Sequence, residues 1–138
     1  MYERAVLAKV NDRKTDDFLT KIVIEAEKKR KGCGHKGVDR NCEAWLGGND
    51  KRREGRWVWI DGGIQTYPIR YTNWDSNEPN NHNGNEDCLV TNWDGYGVGH
   101  GRWNDVPCNH TYGFICRREP CRSGSLCRHS GAVPKPLS

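Results

Sequence analysis

The sequence lacks any apolar run long enough to cross a bilayer, and hydrophobic residues make up only 34% of its 138 positions. A membrane-spanning helix needs about 20 consecutive apolar residues, so we expect no membrane insertion by this segment. The N-terminal residues 1–4 also lack the apolar stretch of a signal peptide. Heptad repeats are absent as well, which leaves no coiled coil to join copies of the chain.

The sequence has few aliphatic residues but contains six Trp and seven Cys. Each Trp buries a large area, so a small core that depends on aromatic rings is expected. Seven cysteines in a chain of this length are typical of disulfide-stapled extracellular proteins. An extracellular composition without a leader predicts that this chain is a fragment of a longer protein.

The net charge of +4 raises the question of a nucleic-acid partner. Much of the positive charge lies in residues 28–31 and 51–53. Neither cluster is interleaved with aromatic residues, and no nucleic-acid-binding motif occurs. We therefore predict solvated basic faces and no nucleic-acid partner. A heparin-like polyanion is the alternative that this charge leaves open.

Periodicity predicts one helix and several short strands. Residues 16–31 have helical spacing, with Thr15 as the expected N-cap and a stripe of Phe18 and Ile22 expected to pack on a sheet. Strands are predicted at residues 5–10, 44–47, 56–60, 88–93 and 112–116.

Two cysteine pairs are close in sequence and could form local disulfides. Cys33 and Cys42 flank a glycine-containing loop. Zinc is an alternative there because of His35, but no CxxC pair or fourth ligand accompanies it. Cys121 and Cys127 lie in residues 119–138, which we interpret as a linker or the start of a further cysteine-rich, EGF-like module.

Acidic and amide side chains are concentrated in three short motifs. These are Glu78-Pro79-Asn80, Glu86-Asp87-Cys88, and Trp103-Asn104-Asp105 before Cys108. Hard oxygen donors of this kind suit calcium, and amides beside carboxylates suit a hydroxyl-rich ligand. The competing interpretation is a polar surface turn, because Asn, Asp and Pro are common in turns.

Enzymatic activity is not predicted. Glu78 and Glu86 could form a glycosidase pair, but carboxylates neutralised by calcium carry protons poorly. No Ser/His/Asp or Cys/His arrangement stands out, since disulfides explain the cysteines better.

Together with Trp45-Leu46-Gly47 and Phe114-Ile115-Cys116, these motifs resemble the C-type lectin-like domain family in their order. The resemblance runs from about Ala5 to Arg118, and we assign residues 1–118 to the domain. It implies an α+β double-loop fold with small antiparallel sheets and a Cys88–Cys108 disulfide. The family's first strand and helix have no counterpart before Ala5. Cys116 is therefore expected to be unpaired, because its family partner lies on that helix.

The resemblance also implies the ligands of bound calcium. The residues expected at the principal calcium, which are also the expected sugar ligands, are Glu78, Asn80, Glu86, Asn104 and Asp105. The residues expected at a second calcium are Asp50, Glu54, Asn81, Glu86 and Asp87, with Asn81 where the family often has Asp. Solvated turn carboxylates are the alternative for the second set.

In the family, the order Glu-Pro-Asn accompanies mannose, glucose, N-acetylglucosamine and fucose, whereas Gln-Pro-Asp accompanies galactose. The resemblance therefore implies calcium-dependent binding of mannose-type sugars on glycans or glycoproteins. Avidity is expected from oligomerisation or from further domains. The alternative is a member of the same fold that binds protein or mineral surfaces without sugar.

Overall fold

A computed structural model describes residues 5–30, 43–61, 65–93 and 101–118. It contains one α-helix, one short 3-10 turn and eight short strands. The elements are β1 (Ala5–Leu7), α1 (Arg13–Arg30), β2 (Ala44–Asn49), β3 (Val58–Asp61), β4 (Gln65–Pro68), the 3-10 turn (His82–Gly84), β5 (Cys88–Trp93), β6 (Arg102–Val106), β7 (Gly113–Phe114) and β8 (Cys116–Arg118).

The strands form two sheets. The larger sheet has the order β4-β3-β2-β5-β6, and β7 joins it by parallel pairing with β2. All other pairs in it are antiparallel. β1 and β8 form a separate antiparallel pair in which Leu7 faces Cys116. The predicted α+β class with small, mainly antiparallel sheets is confirmed.

The helix begins earlier than predicted and has a different cap. The N–H of Thr15 donates to Asp12 Oδ1 at 2.7 Å, so Asp12 satisfies one of the free amides of the first turn. Thr15 lies inside the helix, and the prediction of Thr15 as the N-cap is wrong. Asp and Thr are both favourable N-cap residues, and the sequence does not distinguish Asp12 from Thr15 as the cap.

The buried face of α1 also differs from the prediction. Leu19 and Val23 are buried in the core, whereas Phe18 is 60% exposed and Ile22 is 41% exposed. The predicted Phe18/Ile22 stripe is therefore wrong. Asp16, Leu19 and Val23 are spaced i, i+3, i+7 along one face of the helix. Asp16 is charged, so a pattern of apolar residues alone does not indicate that its face of the helix is buried.

Strand boundaries were predicted with mixed success. β5 spans the predicted residues 88–93, but the predicted strand at 112–116 is two strands with different partners. β4 and β6 were not predicted as strands. Both carry several polar residues and owe their conformation to pairing with neighbours distant in sequence.

Aromatic rings fill the core as expected. Trp59 and Trp103 are almost completely buried. Trp103 meets Trp59, Tyr71 and Trp74 edge-on, each at 5.8 Å between ring centroids. Trp45 and Trp57 are only half-buried. Trp103 is thus the central ring of the cluster, and Asn104 and Asp105 follow a residue that is packed on several sides.

A disulfide joins Cys88 to Cys108, and Cys116 is an exposed free cysteine. Cys33, Cys42, Cys121, Cys127 and the segment 119–138 lie outside the described residues. In the part of the chain that the structure describes, no helix is both long and apolar enough to span a membrane.

Candidate functional site

Asp105 in β6 anchors the Glu-Pro-Asn segment. Its carboxylate is 1% exposed, and its two oxygens accept the backbone N–H groups of Asn80 at 3.1 Å and Asn81 at 2.7 Å. β6 pairs with β5 so that Asp105 lies opposite Leu89, close to the Cys88–Cys108 disulfide. A buried side chain of the sheet, close to the disulfide, therefore holds the polar loop through two hydrogen bonds.

The loop turns tightly because its residues adopt conformations that suit Asn. Asn77, Asn81 and Asn83 have φ of 65°, 44° and 59°, a left-handed region that Asn tolerates better than most residues. The Glu78–Pro79 peptide bond is cis.

This shape brings three predicted ligands into contact. Asn80 Nδ2 donates to Glu78 Oε1 at 3.0 Å. The N–H of His82 donates to Asn80 Oδ1 at 2.9 Å and to Glu86 Oε2 at 2.7 Å. Glu78, Asn80 and Glu86 are therefore linked in one network, to which Asp105 is joined through the backbone of the loop.

Two predicted ligands have oxygens that lack a hydrogen-bond partner. Glu78 Oε2 and Asn104 Oδ1 are both buried and accept no hydrogen bond. Leaving a buried acceptor unsatisfied costs about 1–3 kcal/mol. A cation that coordinates oxygen would satisfy such atoms, so the residues present fit a calcium ion.

The electrostatics of the loop point the same way. Burial raises the pKa of Glu78 to about 7, and the neighbouring Asp105 carboxyl adds to the rise. Burial also raises the pKa of Glu86, with the Asp105 charge contributing. Carboxylates are therefore held close together where their charged forms are disfavoured, and a divalent cation would favour the charged forms again.

A second acidic cluster lies beside the first. Oxygens of Asp50, Glu54 and Asp87 lie within 4.8 Å of one another. Asp50 is buried, its Oδ2 accepts the Gly55 N–H at 2.8 Å, and its Oδ1 has no hydrogen-bond partner. Burial raises the pKa of Asp50, and the charges of Glu54 and Asp87 raise it further. These three residues also fit a metal ion.

Asn81 joins the two clusters. Its Nδ2 donates to Glu54 Oε2 at 2.6 Å, and its Oδ1 accepts the Glu86 N–H at 3.1 Å. In this orientation the amide presents a donor, and not an oxygen ligand, to Glu54. The neutral Asn81 side chain therefore bridges the two clusters through hydrogen bonds.

Most of the residues predicted for the two sites lie together. Hydrogen bonds connect Glu78, Asn80, Asn81, Glu86 and Asp105 with Glu54, and Asp50 and Asp87 complete the second cluster. Asn104 precedes Asp105 in β6, and no described hydrogen bond joins its side chain to the others.

Sequence reasoning missed two contributors. The backbone N–H of His82 organises Asn80 and Glu86, and no side-chain pattern reveals a backbone donor. Asp16, in the first turn of α1, is a buried acceptor for Trp103 Nε1 at 3.0 Å.

Comparison with known proteins identifies the family of the chain. The model of the Lectin C-type domain family matches residues 2–118. The galactose-specific lectin nattectin of Thalassophryne nattereri is 30% identical over 112 residues, covering 81% of this chain and 58% of nattectin. A C-type lectin mannose-binding isoform of Oxyuranus scutellatus is 42% identical over 73 residues, covering 53% of this chain and 42% of the relative.

The chain thus spans less than two thirds of the length of these two relatives. Among solved structures, the carbohydrate-recognition domain of mouse scavenger receptor C-type lectin is 26% identical, with a TM-score of 0.59. That match covers 86% of this chain and 73% of the mouse domain. The family and its fold are those of carbohydrate-binding lectins and not of enzymes. The chain described here therefore belongs to the C-type lectin domain family.

Proposed function

We propose that this chain binds carbohydrate through a calcium ion held by Glu78, Asn80, Glu86, Asn104 and Asp105. The observation that carries the proposal is the pair of buried oxygens without hydrogen-bond partners, Glu78 Oε2 and Asn104 Oδ1. Glu78 lies in the polar loop, where burial raises its pKa and that of Glu86. Asn104 lies in β6 and precedes Asp105, whose carboxylate accepts the backbone N–H groups of the loop. A loop serving only as a polar turn would have no need of buried, unsatisfied ligand oxygens.

A bound calcium ion would supply coordination positions for two vicinal hydroxyls of a sugar. The chain's own side chains then orient those hydroxyls. Glu78 and Glu86 accept hydrogen bonds from them, and the amides of Asn80 and Asn104 donate to them. Asn80 Nδ2 lies 3.0 Å from Glu78 Oε1, so a donor and an acceptor stand side by side at the loop surface.

We further propose selectivity for mannose-type sugars, meaning mannose, glucose, N-acetylglucosamine and fucose. The names of the relatives include both a galactose-specific and a mannose-binding lectin, so they do not decide between sugars. The proposal rests on the order of acceptor and donor in Glu78-Pro79-Asn80. Exchanging them, as Glu78→Gln with Asn80→Asp, should weaken mannose binding relative to galactose. A galactose preference of the unmodified chain on a glycan array would contradict this selectivity.

The second acidic cluster supports a proposal of its own. Asp50, Glu54 and Asp87, with Glu86 and Asn81 beside them, would hold an auxiliary calcium. Asn81 contributes no negative charge, so this site should be weaker than one with Asp at that position.

Membership of the family also supports proposals about location, partners and avidity. We propose an extracellular location, glycans or glycoproteins as partners, and avidity from other copies or further domains. The Cys33–Cys42 and Cys121–Cys127 disulfides remain predictions, as does the interpretation of residues 119–138 as a linker or a further module.

Retention on immobilised mannose tests the proposal against binding of protein or mineral surfaces without sugar. We expect the chain to be retained in calcium and eluted by EDTA or by free mannose. The matched control, Asn85→Ala, changes an exposed residue of the same loop whose φ of −143° suits any residue, and it should elute like the unmodified chain. Failure to retain a chain that binds calcium would favour the alternative function.

A further inference from the structure

Asp16 is a buried carboxylate that connects distant parts of the chain. It lies in the first turn of α1 and is 1% exposed. Its Oδ1 accepts Trp103 Nε1 at 3.0 Å, and its Oδ2 accepts Asn73 Nδ2 at 2.7 Å and the Tyr71 hydroxyl at 3.1 Å. These partners are 87, 57 and 55 positions away in sequence. One side chain therefore holds α1 against both segments that lead into the proposed calcium site.

The three donors are neutral, so the carboxylate depends on hydrogen bonds for its stability. Burial raises the pKa of Asp16, and the hydrogen bonds from Trp103, Tyr71 and Asn73 oppose that rise. A buried carboxylate that lost these donors would be strongly destabilising. The arrangement of the donors is consequently fixed by the need to satisfy Asp16.

The segments held by Asp16 continue directly into the proposed ligands. Trp103 precedes Asn104, and its backbone N–H donates to Asn73 O at 2.8 Å. The N–H of Asp75 donates to Trp103 O at 2.9 Å, and the N–H of Glu78 donates to Asp75 O at 3.1 Å. An unbroken series of hydrogen bonds therefore runs from Asp16 to Glu78.

Asn73 reinforces this connection. Its Nδ2 also donates to Gly101 O at 3.0 Å, and its Oδ1 accepts from the Arg102 guanidinium at 3.0 Å. The start of β6 is thus tied to the loop before Glu78 at two further points.

We propose that Asp16 is a positioning residue for the calcium site, holding Glu78 and the Asn104–Asp105 pair at their relative positions through Trp103 and Asn73. This inference rests on the function proposed above. It adds that α1, which contributes no ligand, is energetically coupled to calcium binding. By linkage, calcium should in turn stabilise α1.

Asp16→Asn in the full chain tests the inference. An amide has one acceptor atom, so its NH2 group must face a donor, either the Trp103 indole or the pair from Asn73 and Tyr71. Supporting residues around metal ligands typically change metal affinity by 10–100-fold, and we expect the calcium Kd to rise about tenfold. At saturating calcium the mannose Kd should rise by less than the calcium Kd does, because bound calcium would itself hold Glu78 and Asn104 in place.

Val23→Ala is the matched control. Val23 is buried on the same face of α1 but carries no polar group. It should lower the stability of the fold while leaving the calcium Kd within about twofold, measured where both variants are folded. Hydrogen exchange gives a second measurement: calcium should slow exchange of the α1 amides in the unmodified chain and much less in Asp16→Asn.

The outcomes separate the two proposals. Calcium binding by the unmodified chain with an unchanged Kd in Asp16→Asn would overturn the inference alone. Failure of the unmodified chain to bind calcium would overturn the proposed function and the inference with it. If Asp16→Asn does not fold, Tyr71→Phe removes one donor and keeps the ring against Trp103. That variant should raise the calcium Kd by about threefold, and an unchanged value would overturn the inference.

Discussion

Among single residues, Glu78 should control the pH dependence of the proposed site. Burial raises its pKa from the ordinary value of 4.5 to about 7. Calcium binding needs the ionised form, so protons and calcium compete near neutral pH. Between pH 8 and pH 6, a group with this pKa should lower calcium affinity about tenfold, which calorimetric titration at both pH values would measure.

The same shift has the opposite effect on the metal-free protein. Because the folded pKa lies above the unfolded one, folding favours the protonated form of Glu78. Stability in EDTA should therefore rise as the pH falls from about 8 towards 5. Glu78→Gln should flatten this dependence. A metal-free chain that loses stability steadily over this range would show that Glu78 is not forced into a disfavoured charged state.

Asn81 should limit the affinity of the second acidic cluster. Asn81→Asp replaces the donor beside Glu54 with a further carboxylate. We expect tighter calcium binding by this cluster and a lower melting temperature in EDTA, since repulsion increases without the ion. Differential scanning calorimetry with and without calcium measures both effects.

Asn83→Asp is the matched control for Asn81→Asp. It makes the same charge change at an exposed position with a similar positive φ of 59°. Little change is expected there in either condition. Equal effects of the two substitutions would mean that net charge, and not the contact with Glu54, decides the outcome.

At the level of secondary-structure elements, the orientation of α1 is testable through adjacent residues. Leu19 is 8% exposed in the core, whereas Phe18 is 60% exposed. Leu19→Ala should lower the free energy of unfolding by about 2–4 kcal/mol, and Phe18→Ala by less than about 1 kcal/mol. Urea denaturation of both variants measures the difference. A larger loss of unfolding free energy for Phe18→Ala than for Leu19→Ala would mean that the predicted Phe18/Ile22 face is the buried one.

The elements also show what sequence could and could not predict. The apolar, β-branched run Leu89-Val90-Thr91 correctly indicates β5. β6 has the polar sequence Arg-Trp-Asn-Asp-Val, and only its pairing with β5 makes it a strand. The face of α1 was misjudged for a related reason, because Asp16 is buried by partners more than fifty positions away. Local patterns carry no information about such distant contacts.

For the molecule as a whole, the Cys88–Cys108 disulfide is the covalent connection nearest the proposed site. It closes a stretch with a sequence separation of 20. Replacing both cysteines by serine should lower stability by about 3 kcal/mol in the chain-entropy model. Thermal unfolding measures this loss of stability in calcium and in EDTA. A larger loss in calcium would show that the disulfide also supports calcium binding. No measurable loss in EDTA would mean that other contacts constrain the loop when calcium is removed.

The fold class was predictable from the sequence, whereas the ligand set of the site stays a prediction. The residue types and the order of Glu78, Asn80, Glu86, Asn104 and Asp105 can be read from the sequence, and their oxygens suit calcium. Their mutual arrangement cannot be read from it. The backbone contacts from Asn80 and Asn81 to Asp105 depend on the backbone path of the loop, which the sequence leaves open.

Calorimetric titration of mannose into the chain, in calcium and then in EDTA, tests the central proposal most directly. The proposal predicts saturable binding in calcium and none in EDTA, with both the calcium and the mannose signals lost in Glu78→Ala with Asn80→Ala. Mannose binding that survives EDTA, or that is unchanged in the double variant, would contradict it.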